Sequence, residues 1–173
     1  MDNNLDSIQG QIEQRTHDDQ VLSFVLGNEE YGVDILRVQE IKGWEKTTAI
    51  PNSPNYVMGV INLRGAVVPI IDLRVRFGLE NVTYNESTVV IIVRSEDHDG
   101  SQKIIGLVVD GVSDVYAFNR AGLQSTPEMS GTVHTDYVNG LATVGDKMVI
   151  ILHVDHLIND GILAAIKKTI PSD

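Results

Sequence analysis

The chain has 173 residues, no cysteine and a formal charge of −11, from 13 basic and 24 acidic side chains. That length allows one ordinary domain or two very small ones sharing a core. The acidic balance opposes a nucleic-acid or anionic-membrane partner, since both demand a basic footprint, and the lack of thiols excludes a disulfide framework, a thiolate metal site and a cysteine nucleophile.

Residues 1–19 are polar and carry no period, with Leu5, Ile8 and Ile12 thinly spaced. They read as a disordered tail holding a transient helix at most. The start lacks the basic and apolar regions of a signal peptide. No apolar run approaches the ~18 residues of a membrane span. These features predict a soluble cytoplasmic protein without membrane insertion.

From Val21 onward, short Val/Ile-rich runs alternate with Gly, Asn and Asp, the texture of strands. Segments 21–26 and 31–33 flank Gly27-Asn28-Glu29-Glu30, which predicts a hairpin with a four-residue loop. Residues 34–39 suit a single helical turn. Segments 60–63 and 66–71 flank Arg64-Gly65, a two-residue turn where Gly supplies positive φ. Asp72 suits the cap of a short helix reaching Phe77. Segments 88–94 and 103–109 flank a polar loop. Asp110-Gly111, between 104–109 and 112–118, predicts another tight hairpin, and Gly145-Asp146 joins 138–144 to 147–154. Asp155 suits the cap of a last helix, with Leu157, Ile158, Ile162, Leu163 and Ile166 at helical spacings, weakened at Gly161 and ended by Pro171.

The strand region contains itself twice. Tyr56-Val57-Met58-Gly59-Val60 recurs as Tyr137-Val138-Asn139-Gly140-Leu141, 81 positions downstream, and residues 67–71 fall on 148–152 at the same offset. Gly32-Val33 matches Gly106-Leu107 at an offset of 74, and residues 21–26 match 89–94 at 68. Each half, about 21–77 and 88–158, therefore holds some five strands in one order. A sheet of that size closes its edges best as a small barrel. One such barrel alone is marginal, so two packed together, with a strand exchanged, are expected to share an apolar seam.

Reactive constellations are scarce. No phosphate-cradling Gly-rich loop precedes a helix and no nucleophile elbow is present. His153 and His156, with Asp155 between them, resemble metal ligands, but no third imidazole lies near in sequence, and a solvated helix N-terminus is the plainer reading. A small metal-dependent enzyme using these histidines is the rival from another class. The prevailing expectation is a binding body that is not an enzyme, with no cofactor and no bound metal.

Residues 34–41 mix apolar and charged side chains without clean alternation, so some apolar positions can face outward. Arg64 on its tight turn can pair bidentately with a partner carboxylate. Gly59 and Gly65 flank that hairpin, where Gly permits close backbone approach. Val89, Ile105, Val112 and Val115 offer an apolar stripe, at least half of it ordinary core.

The runs Glu30-Tyr31-Gly32-Val33-Asp34-Ile35-Leu36-Arg37-Val38-Gln39-Glu40-Ile41, Gly59-Val60-Ile61-Asn62-Leu63-Arg64-Gly65 with Val68-Pro69-Ile70-Ile71-Asp72-Leu73-Arg74, and Val108-Val109-Asp110-Gly111-Val112-Ser113-Asp114-Val115 closely resemble the CheW family of chemotaxis coupling proteins. The resemblance spans residues 20–160, leaving 1–19 as a tail and 161–173 as the end of the last helix. It implies an all-β fold of two intertwined five-stranded SH3-like barrels with short helices. It also implies a non-enzymatic adaptor between methyl-accepting chemoreceptors and the regulatory domain of the histidine kinase CheA, assembled with further adaptor copies into rings at the inner face of the membrane. An adaptor of the same kind serving surface motility or second-messenger output is the neighbouring reading. By the resemblance, Val38, Glu40, Arg64, Val89 and Val112 contact the receptor in the groove between barrels. Gly59 and Gly65 affect assembly with receptor or kinase. Gln124 and Met129 stand at a ring contact where well-known relatives carry Arg and Phe.

Overall fold

The structure is a computed structural model that describes residues 2–13, 19–125 and 137–163. Ten strands follow one another: β1 Gln20–Leu26, β2 Glu29–Asp34, β3 Val38–Gly43, β4 Val57–Leu63, β5 Ala66–Asp72, β6 Val89–Glu96, β7 Gln102–Val109, β8 Gly111–Ala117, β9 Val138–Val144 and β10 Lys147–Leu152. Helices are short, apart from α1 at Asp2–Glu13; α2 spans Leu73–Arg76 and α3 Val154–His156, which runs on into a π-helical stretch at Leu157–Leu163.

The strands form two five-stranded sheets, ordered β8-β1-β2-β10-β9 and β3-β6-β7-β5-β4. The two orders are the same if each strand of the first half is exchanged for its repeat in the second. Even the parallel pairs correspond, β2 with β10 and β7 with β5. The repeat is therefore real, but a half does not build its own barrel. Each half gives its first two strands to one sheet and its last three to the other.

This swap explains the unbroken apolar runs. In β6, Val89, Ile91 and Val93 face a central core shared by both sheets. Val90 and Ile92, on the opposite face, fill the core of the second sheet. Side chains alternate across a strand, so a strand between two cores must be apolar on both faces. Leu22, Phe24 and Leu26 of β1 enter the shared core in the same way, and Val21 fills the core of the first sheet.

Four expectations are corrected. Asp110-Gly111 is a crossover, not a hairpin: β7 pairs with β6 and β5, whereas β8 pairs with β1. Gly111 does not have the positive φ that a tight turn would use, and Asp110 N donates to Val25 O (3.0 Å). The β1–β2 loop is two residues long, because Leu26 already pairs with Glu29. Residues 2–13 of the expected tail form α1, which buries Ile8 and Ile12 to 1% and 0% exposure against the shared core, while residues 14–18 lie outside the described residues. Such a short polar helix is marginal by itself, and tertiary burial decides. Finally, His153 rather than Asp155 caps α3, its Nδ1 accepting His156 N–H at 3.2 Å, while Asp155 is held by Arg37 at 2.7 Å. Pro171 and Ile166 lie outside the described residues.

Two helical expectations stand. Ile35–Arg37 forms a 3-10 turn capped by Asp34, and Asp72 caps α2 by accepting Arg74 N–H at 2.9 Å.

Candidate partner-binding site

The β4–β5 hairpin closes through Arg64 and Gly65, with φ of 50° and 90°. Two successive positive φ values match the twist of the flanking strands. Asn62 Oδ1 accepts Gly65 N–H at 2.9 Å and braces the turn. The Arg64 side chain is 67% exposed, yet its Nη2 pairs with Glu40 Oε1 on β3. The Glu40 hydrogen bond, helped by the Glu40 charge, raises the Arg64 pKa. A backbone-fixed turn and one carboxylate thus hold a cation at the surface, with donors left for a partner's oxygens. Next to it, Val67 of β5 is 69% exposed; its repeat in β10, Met148, is also exposed.

Gly59 has a packing reason. An added Cβ would lie 2.1 Å from Thr48 O, which accepts Val60 N–H at 2.9 Å. Its repeat, Gly140, stands likewise against Gln124 O, and Gln124 makes the same backbone bridge to Leu141. Gly65 is different: open space surrounds it, and only its positive φ of 90° demands glycine.

The other implied residues divide. Val38 and Val89 are 0% and 4% exposed in the shared core, so direct receptor contact by these side chains is not what the structure presents. They lie on paired strands, Val38 opposite Val93 and Val89 opposite Gly43. Val112 and Val115 of β8 are partly buried, Ile105 is buried, and Leu36 is the residue of the 34–41 segment that turns outward. Gln124 is exposed, and Met129 lies outside the described residues.

Residue types and spacing did not reveal a buried ionic cluster at the junction of the sheets. Arg74 of α2 is 2% exposed. Its Nε and Nη2 meet the two oxygens of Asp72 at 3.0 and 2.9 Å, and its Nη1 donates to Asp110 Oδ1 (2.9 Å) and Thr83 O (2.7 Å). Asp110 Oδ2 accepts Gly27 N–H at 2.7 Å, which ties in the β1–β2 turn. Tyr84 donates to Asp72 Oδ2 at 2.6 Å and packs against Trp44 with the ring centroids 4.5 Å apart and the planes tilted by 31°. Burial works against the Arg74 charge, but the hydrogen bonds to Asp72 and Asp110 outweigh it and raise the pKa. Burial, then the Asp72 hydrogen bond and charge, pushes the Tyr84 phenol up to about 12. The cluster fastens the end of β5 to the crossover between sheets. Asp72, Arg74 and Asp110 all stand in the family-like runs, but 36 residues separate Arg74 from Asp110 and nothing in their spacing brings them together.

His98, His153 and His156 line a cavity of about 490 Å³ with Glu96, Asp97 and Asp155. Asp155 is already engaged by Arg37 and by Glu96 N–H (2.8 Å). Among the described residues no three His, Asp or Glu side chains converge as a metal site. No helix among them is long and apolar enough to cross a membrane.

Two interlocked sheets that display a braced cation and exposed aliphatic side chains on their hairpins define a protein-binding scaffold. The profile of the CheW-like domain matches residues 20–161. The chain is 44% identical to a chemotaxis protein CheW of Klebsiella aerogenes over 151 residues, 87% of this chain and 88% of that one. It is 36% identical to a probable chemotaxis protein CheW of Rhizobium etli, covering 83% and 89%. The crystal structure of the scaffolding protein TtCheW from Thermoanaerobacter tengcongensis superposes with a TM-score of 0.72 at 33% identity, covering 85% of this chain and 92% of that one. This chain belongs to the CheW-like family, the non-enzymatic scaffold proteins of chemotaxis.

Proposed function

We propose that the chain couples methyl-accepting chemoreceptors to the histidine kinase CheA, working in the cytoplasm within receptor arrays at the inner face of the membrane. Family membership supports the adaptor role, and the braced Arg64–Glu40 pair is the observation that carries the contact. A rigid cation on a turn recognises a partner carboxylate with little ordering cost. Glu40, Arg64 and Val112 would meet the receptor tip, whose helices suit an apolar groove with a charged rim. Val38 and Val89 support that surface from beneath. Gly59 and Gly65 keep the hairpin in shape for assembly. Gln124 and Met129 belong to a contact with the kinase regulatory domain or another adaptor copy. An adaptor acts through a coupling free energy, typically ~1–3 kcal/mol, between receptor state and kinase state.

The test mixes the purified chain with receptor-bearing membranes and CheA. The chain is expected to sediment with both and to raise kinase autophosphorylation under receptor control. A chain that stays in the supernatant, or that leaves the kinase insensitive to receptor, would refute the proposal.

A further inference from the structure

β3 and β8 are the outer strands at one end of the two sheet orders, and α1 lies on both. Ile8 and Ile12 enter the shared core between them, and Leu5 packs at its margin, so one helix face carries aliphatic side chains at i, i+3 and i+7. Gln9 Oε1 accepts Ile41 N–H at 2.9 Å, satisfying a donor on the outer edge of β3. The junction therefore forms a groove for one amphipathic helix with a polar group beside its apolar stripe. The groove is flanked by β3 and β8, the strands that carry Glu40 and Val112.

α1 is a weak occupant. Gly10 interrupts its middle, and Glu13 puts an acidic group at the C-terminal end, where the helix dipole disfavours it. Its seat depends on the buried face rather than on helix propensity. We infer that α1 is an internal stand-in for a partner helix: the groove between β3 and β8 takes an amphipathic helix of the receptor tip, and α1 must leave before that helix enters. This inference rests on the adaptor reading above. A groove closed most of the time weakens apparent affinity by the fraction open, so any change in the hold of α1 passes directly into partner binding.

Two variants test it. The chain has no cysteine, so Ile8→Cys introduces a single thiol at a site 1% exposed. A maleimide should label it slowly, and a purified receptor-tip fragment should speed labelling about tenfold or more as α1 is displaced. Gly10→Ala strengthens the helix with nothing within 4 Å of the new methyl. It should leave the fold unchanged, slow labelling, and weaken fragment binding about fivefold in calorimetry. Fragment binding with unchanged labelling, or equal affinity for wild type and Gly10→Ala, overturns the inference and leaves the adaptor reading intact. A fragment that binds neither protein removes the adaptor reading, and this inference falls with it.

Discussion

Replacing Arg74 with methionine strands the Asp72 carboxylate at the junction of the two sheets. Asp72 is 0% exposed, and two of its guanidinium contacts, at 2.9 and 3.0 Å, disappear together. Methionine keeps most of the volume, so the loss is electrostatic rather than a cavity. Removing one partner of a buried ion pair costs about 3–5 kcal/mol, because the remaining charge has neither water nor a counter-ion. Against a total stability of roughly 5–15 kcal/mol this is a large share, and for a chain of this size it lowers Tm by about 6–20 °C. The assay is urea unfolding followed by Trp44 fluorescence. The chain has one tryptophan, and its ring packs against Tyr84 of this cluster. Adding Asp72→Asn should recover part of the loss, since a neutral amide can still accept the Arg74-position N–H at the α2 cap. The reasoning fails if Arg74→Met costs under about 1 kcal/mol, or if the double variant loses the full sum of the single losses.

Gly59→Ala should cost about 2–4 kcal/mol, because the methyl must displace Thr48 O and its bridge to Val60; chemical denaturation checks this, and Gly65→Ala, with open space around it, should cost less. Arg64→Ala should keep native circular dichroism while losing receptor-dependent kinase control, since the side chain is mostly solvent-exposed. Burial, then the charge of Glu29, pushes the Tyr31 phenol up to about 12 from an ordinary value of 10.0. The folded state favours its protonated form, so this contribution is whole below pH 10 and drains away as pH rises toward 12. Tyr31→Phe should flatten the stability profile over that alkaline window, and an unchanged slope would exclude this tyrosine as the cause.

Much was legible locally. The Arg64-Gly65 and Gly145-Asp146 hairpins, the Asp72 cap and most of the strands follow from turn chemistry and side-chain period, which act between near neighbours, whereas β3 begins inside a segment read as a helical turn. The repeat was legible because both halves keep the same order of residues. The surface assignments were only half so: Arg64 is exposed, as a turn residue should be, but Val38 and Val89 are sealed in the core, and one sequence does not say which face of an apolar run meets which core.

The linear chain by itself determined a duplicated plan of some five strands per half and a cation on a tight turn. Tertiary structure alone decided that β1 and β2 join β8, β9 and β10, that Asp110-Gly111 crosses between sheets, and that α1 folds at all. The physical reason is common to the three. A strand's partner and a weak helix's stability depend on apolar area buried between segments far apart in the chain, and that area does not exist until the sheets close on one another.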